Sequence, residues 1–81
     1  MDRAIFDLKA SVEATSLYIL LSALSDRGQS LSLKVARPLW NGAEEDLAKG
    51  AKELIQRGVL KATLPLTEET TLYINAKSDW Q

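Results

Sequence analysis

Apolar residues recur at helical spacing from Asp2 to Arg27, and neither Pro nor Gly interrupts the chain before Gly28. Asp2 is suited to cap this region, with Ile5, Leu8 and Val12 on one face. Further along, Leu17, Leu20, Leu21 and Leu24 define one apolar stripe. Val12, Ile19 and Ala23 define a second on nearly the opposite side, with Ser11, Thr15, Ser22, Ser25 and Asp26 between them. A helix apolar on two sides is either the central element of a fold or part of an interface. The expectation taken here is that the first helical turns or a C-terminal hairpin cover the second stripe. The spacing fits one helix, or two divided around Ser11 to Thr15.

Gly28 supplies a residue that can enter the left-handed region and end the helix. From Ser30 the period drops to two, with Leu31, Leu33 and Val35 on one face, which predicts a short strand. Arg37-Pro38-Leu39-Trp40 follows as a turn or a single helical turn, with Pro38 expected to push Arg37 out of the α region. Asn41 is a good N-cap and Glu44 can reach back to it, so a second helix is predicted from about Gly42 to Arg57. Its buried stripe is Leu47, Ala51, Leu54 and Ile55, with Gly50 beside it to permit close helix approach. Glu44, Glu45 and Asp46 at its start and Lys52 and Arg57 near its end match the helix dipole.

After Gly58, the runs Val59 to Leu66 and Thr71 to Lys77 alternate in polarity around Thr67-Glu68-Glu69-Thr70, the pattern of an antiparallel hairpin. Leu60, Ala62, Leu64 and Leu66 share one face of the first strand; Leu72, Ile74 and Ala76 share one face of the second. Pro65 belongs at a strand end or edge because it cannot donate to the ladder. The predicted architecture is α+β: an N-terminal helical region, a short strand, a capped helix and a β-hairpin, in one domain spanning residues 1–81.

Within this frame, Leu33, Ala36, Leu39 and Gly42 precede the helix, Leu47, Ala51 and Leu54 lie within it, and Gln56-Arg57-Gly58-Val59-Leu60 closes it. With the hairpin to Lys77, this spacing resembles the winged helix–turn–helix superfamily of transcription regulators. The resemblance implies that the helix from Gly42 to Arg57 is a recognition helix and the hairpin a wing. Pro38 departs from the pattern, since the superfamily usually has a regular helix there.

Composition narrows the chemistry. The 81 residues leave room for one core, and 46% apolar with 26% charged residues describes a chain that folds. With no Cys and no His, thiolate metal sites, disulfides and the commonest general base are absent from the chain. No nucleophile–base pair, phosphate-cradling Gly loop or metal-ligand spacing occurs, so neither enzyme activity nor a cofactor is expected. Met1-Asp2-Arg3 does not open a secretory signal, and the apolar run Leu17 to Leu21 is far shorter than the roughly 20 residues that cross a bilayer. A cytoplasmic location is the expectation.

The net charge of −1 offers no general attraction to phosphate backbones. The outward positions of the second helix read Glu45, Asp46, Lys49, Lys52, Glu53 and Gln56, behind Glu44, and the hairpin tip carries Glu68 and Glu69. These acids disfavour DNA, for which the candidate contacts are Lys34, Arg37, Lys49 and Lys52. Once DNA is disfavoured, the resemblance implies a protein-docking module. Candidate contacts are Val12, Ile19, Ala23 and Trp80, the last expected to be exposed, while Trp40 and Tyr73 are expected to fill or fringe the core. The sequence thus points to a non-enzymatic binding module for another protein or for itself as a homodimer. A DNA-binding regulator is the alternative.

Overall fold

The computed structural model describes residues 1–63 and 65–81 of the chain. A short 3₁₀ helix, Arg3–Leu8, is capped by Asp2, whose carboxylate accepts from the Ala4 amide at 2.9 Å. Lys9 then turns left-handed (φ 55°), and α1 begins at Val12 and runs to Asp26. The N-terminal region is therefore two helices. The break falls at Lys9 and Ala10, ahead of Ser11, which caps α1 with its hydroxyl. This break rotates the register, so Ile5 is buried and Leu8 partly buried, but Val12 does not join their face and is 78% exposed.

α1 ends as expected. Gly28 (φ 79°) donates to Ser25 O, and Gln29 donates to Leu24 O. The predicted strand over Leu31, Leu33 and Val35 does not form. Leu31 alone makes a β-bridge, to Leu72, and the Ser32 hydroxyl accepts from the Val35 amide to start α2, Leu33–Ala36. A capping hydroxyl three residues before the end of a period-two run is enough to redirect it into a helical turn. A 3₁₀ turn, Arg37–Leu39, continues α2. Arg37 stays in the α region (φ −53°, ψ −47°), contrary to the bias imposed by Pro38. Its amide bonds to Leu33 O and its guanidinium to two carboxylates, which outweigh that modest steric preference.

Helix α3 spans Glu44–Gln56 and starts later than its sequence suggests. Asn41 does not cap it; Ala43 holds the N-cap position without a side-chain bond. Two neighbours account for the shift. The Trp40 indole N–H donates to Ala43 O at 3.0 Å, and the Glu44 carboxylate meets Arg37 instead of reaching back. Paired with the full charge of a guanidinium, the Glu44 carboxylate is drawn away from the backbone amides.

Leu47, Gly50, Ala51 and Leu54 of α3 are buried, with Ile55 at the margin. α1 and α3 form the most heavily packed pair of elements. Gly50 allows this approach: a Cβ there would stand 3.1 Å from the Glu13 carbonyl oxygen. Gly58 (φ 75°) then turns the chain into β1, Leu60–Lys61, which pairs antiparallel with β2, Tyr73–Ile74, in the register Leu60 with Ile74 and Lys61 with Tyr73.

The hairpin is thus much shorter than its alternation predicts. Leu60 and Leu72 are buried, Ala62, Leu66 and Ile74 pack at the core margin, Ala76 is exposed, and Leu64 lies outside the described residues. The chain leaves the ladder because the Thr67–Thr70 turn docks elsewhere: Glu68 O accepts from the Lys34 amide of α2 at 3.0 Å. The turn is closed by Thr70 N–H on Thr67 O and by the two threonine hydroxyls at 2.9 Å.

Both ends of the chain are tied to the core. Arg57 donates to Leu8 O at 2.8 Å and to Gln81 O, and Gln81 donates to Arg57 O. Trp80 folds back rather than standing exposed. Its ring meets Tyr18 edge-on at 5.3 Å, and its indole N–H donates to Asn75 O. Tyr73 departs from expectation in the opposite sense, being 60% exposed.

Candidate protein-docking groove

The second apolar stripe of α1 is left uncovered. The N-terminal segment is tied to Tyr18 through the Asp2 amide and the hairpin turn to α2 through Glu68 O, while Val12, Ile19 and Ala23 stay exposed. Ile19 is 39% exposed, whereas Leu21, two residues on, is fully buried. Across from this stripe stands the segment joining α2 to α3. Leu39, carried outward on the 3₁₀ turn that Pro38 permits, is itself half exposed. Trp40 lies against Gly42, where a Cβ would come within 2.9 Å of its indole nitrogen, so the glycine leaves room for the ring.

Together these residues line a groove of about 490 Å³ between α1 and the α2–α3 connection. The floor and walls are mostly apolar, and the charged lining residues are Glu13 and Asp46, with no cation. Val12, Ile19 and Ala23 run along one wall for about 16 Å at 1.5 Å per residue. The structure therefore gathers three of the candidate docking residues and separates the fourth, Trp80, which belongs to the core margin. Leu39, Glu13 and Asp46 were not singled out as groove residues by sequence, and Trp40 was expected to fill or fringe the core. Leu39 and Trp40 sit in a turn without periodicity, and only the fold sets them opposite α1.

The charges rearrange as well. Arg37 pairs with both Glu44 and Glu68, and Lys34 stands 4.0 Å from Glu69. Arg37 is thus held by the acids of the α3 N-terminus and the hairpin tip, and Lys34 faces the same tip while staying exposed. Asp46 turns to the groove. Glu53, read from the wheel as outward, is partly buried and accepts from both the amide (2.8 Å) and the hydroxyl (2.7 Å) of Ser11. The outward face of α3 keeps Glu45, Lys49, Lys52 and Gln56, all exposed. Among the described residues neither lysine takes part in an ion pair.

The Glu53 carboxyl is held below its ordinary value of 4.5, first by the Ser11 amide and then by the Ser11 hydroxyl, with Arg57 assisting and burial opposing. A depressed folded-state value means the stabilisation is complete above the unfolded value and is lost as pH falls through the folded one. Glu53→Gln should therefore be less stable than the parent chain at pH 7, and the gap should narrow below about pH 4.5. Urea titrations at a series of pH values read this directly, and a pH-independent gap would contradict it.

Among the described residues no group of His, Cys, Asp or Glu is arranged to hold a metal ion, and no helix is long and apolar enough to cross a membrane. Searches of protein-family models, curated proteins and solved structures find no match to the chain.

Proposed function

We propose that this chain is a non-enzymatic binding module of winged-helix type that docks another protein, or a second copy of itself, through the groove between α1 and the α2–α3 connection. The observation that carries the reading is the uncovered stripe Val12–Ile19–Ala23 facing Leu39 and Trp40. An 81-residue domain has little apolar surface to spare, and a contiguous exposed patch of this kind marks an interaction surface. The winged-helix part is supported by the element order: α1, a bridge at Leu31, α2, α3 and a β-hairpin whose second strand carries the bridge partner Leu72.

Sedimentation velocity at high micromolar concentration, on the parent chain and on Ile19→Glu, tests the reading. A dimer dispersed by the substitution supports self-association through the groove. A monomer in both removes the homodimer and leaves a heterologous partner.

The alternative, a DNA-binding regulator, draws on one feature: with Glu53 turned onto Ser11, Lys49 and Lys52 dominate the outward face of α3. Two cations are few beside the 6–10 phosphate contacts of strongly salt-dependent binders. A mobility shift at low salt that Lys49→Glu and Lys52→Glu abolish would move the reading to DNA.

A further inference from the structure

We infer that the groove receives an amphipathic helix of another protein, one that carries Lys or Arg beside its apolar stripe. The inference rests on the docking role proposed above and specifies the occupant. The form of the occupant follows from the walls. The longer wall, α1, is an α-helix whose backbone groups are bonded within it, so along the stripe from Val12 to Ala23 the groove presents side chains, and non-helical backbone enters the lining only at the α2–α3 connection. An extended segment laid along α1 would bury amides and carbonyls that find no partners there, which disfavours it. A helix satisfies its own backbone and offers only side chains. The apolar wall from Val12 to Ala23 is about 16 Å long, which matches three turns of a docked helix.

Charge selects the kind of helix. Glu13 and Asp46 stand in the lining beside the apolar strip, Asp46 partly buried, and no basic residue shares the groove. A flanking Lys or Arg on the incoming helix would meet these carboxylates where closure of the interface lowers the dielectric. Groove-to-groove contact with a second copy would add another Glu13 and Asp46 to the same apolar space, and like charges across an interface suppress pairing. The groove therefore favours a heterologous basic helix over self-association.

The test uses the full chain, labelled with nitrogen-15, and two synthetic 16-residue helical peptides. Both carry Leu at positions 2, 6, 9 and 13, one flanked by Lys and the other by Glu. The Lys-flanked peptide should shift the Trp40 indole resonance and the α1 amides around Ile19, and bind about tenfold more tightly than the Glu-flanked peptide. The double variant Glu13→Gln/Asp46→Asn should bring the two affinities within about twofold, and Ile19→Glu should abolish binding by both. Equal binding of the two peptides to the parent chain overturns the inference. So does no binding by either peptide together with a dimer that Ile19→Glu disperses; that result gives the groove to a second copy and leaves the docking role standing. No peptide binding and a parent chain that stays monomeric overturns both.

Discussion

Gly58→Ala should cost about 2–5 kcal/mol, whereas Gly28→Ala should cost about 1–2 kcal/mol, although both glycines end a helix in the left-handed region. The two share the same backbone term, since φ is 75° at Gly58 and 79° at Gly28, and an L-residue there loses roughly 1–2 kcal/mol. They differ in what a methyl group would meet. Nothing lies within 4 Å of a Cβ at Gly28, but at Gly58 it would stand 2.3 Å from the Asp79 carbonyl oxygen. That oxygen is main chain and cannot rotate away. The tail from Lys77 to Gln81 would have to lift, breaking the Gln81 amide bond to Arg57 O and loosening Trp80 from Tyr18. In a domain whose total stability is a few kcal/mol, the Gly58 variant should be largely unfolded at 37 °C. Urea midpoints of the two variants measure the difference. Equal losses would mean that the C-terminal tail does not close over this turn in solution.

Leu21→Ala and Ile19→Ala should separate just as widely, from neighbouring positions on one helix. Leu21 is fully buried in the core, so truncation should cost about 2–5 kcal/mol through lost transfer energy and the cavity left behind. Ile19 faces the groove and should cost under about 1 kcal/mol, within the range of surface changes. A combined experiment adds the functional consequence. If the groove is a docking surface, Ile19→Glu keeps the melting temperature of the parent while losing the partner, because the residue serves binding and not the fold. A loss above about 2 kcal/mol for Ile19→Ala would place this stripe in the core. It would remove the basis for a docking groove.

The α+β frame was legible in the residues, for local reasons. Asp2 as a cap, the glycine stops at 28 and 58, the stripe Leu17–Leu21–Leu24, the close approach at Gly50 and the threonine turn depend on one residue's conformational freedom or on spacing along one helix. Readings that needed a competing partner failed. The run from Ser30 to Val35 has strand periodicity, yet Ser32 bonds forward to Val35 and makes it helical. Asn41 and Glu44 form a sound capping pair on paper, but the Glu44 carboxylate pairs with Arg37 and the Trp40 indole bonds Ala43 O, so the helix starts at Glu44 behind Ala43.

The candidate site divides along the same line. By itself the sequence determined that α1 carries two apolar stripes and that the chain has neither Cys nor His. Only the tertiary structure decided which stripe the core takes and which it leaves bare. It alone set Leu39 and Trp40 opposite the bare one, drew Trp80 onto Tyr18, and matched Lys34 and Arg37 to the acids of the hairpin tip. The physical reason is one of range. Helical periodicity and caps act over a few residues and are written in adjacent positions. Burial and ion pairing join residues tens of positions apart, and which of several adequate partners prevails depends on distances that exist once the chain has closed.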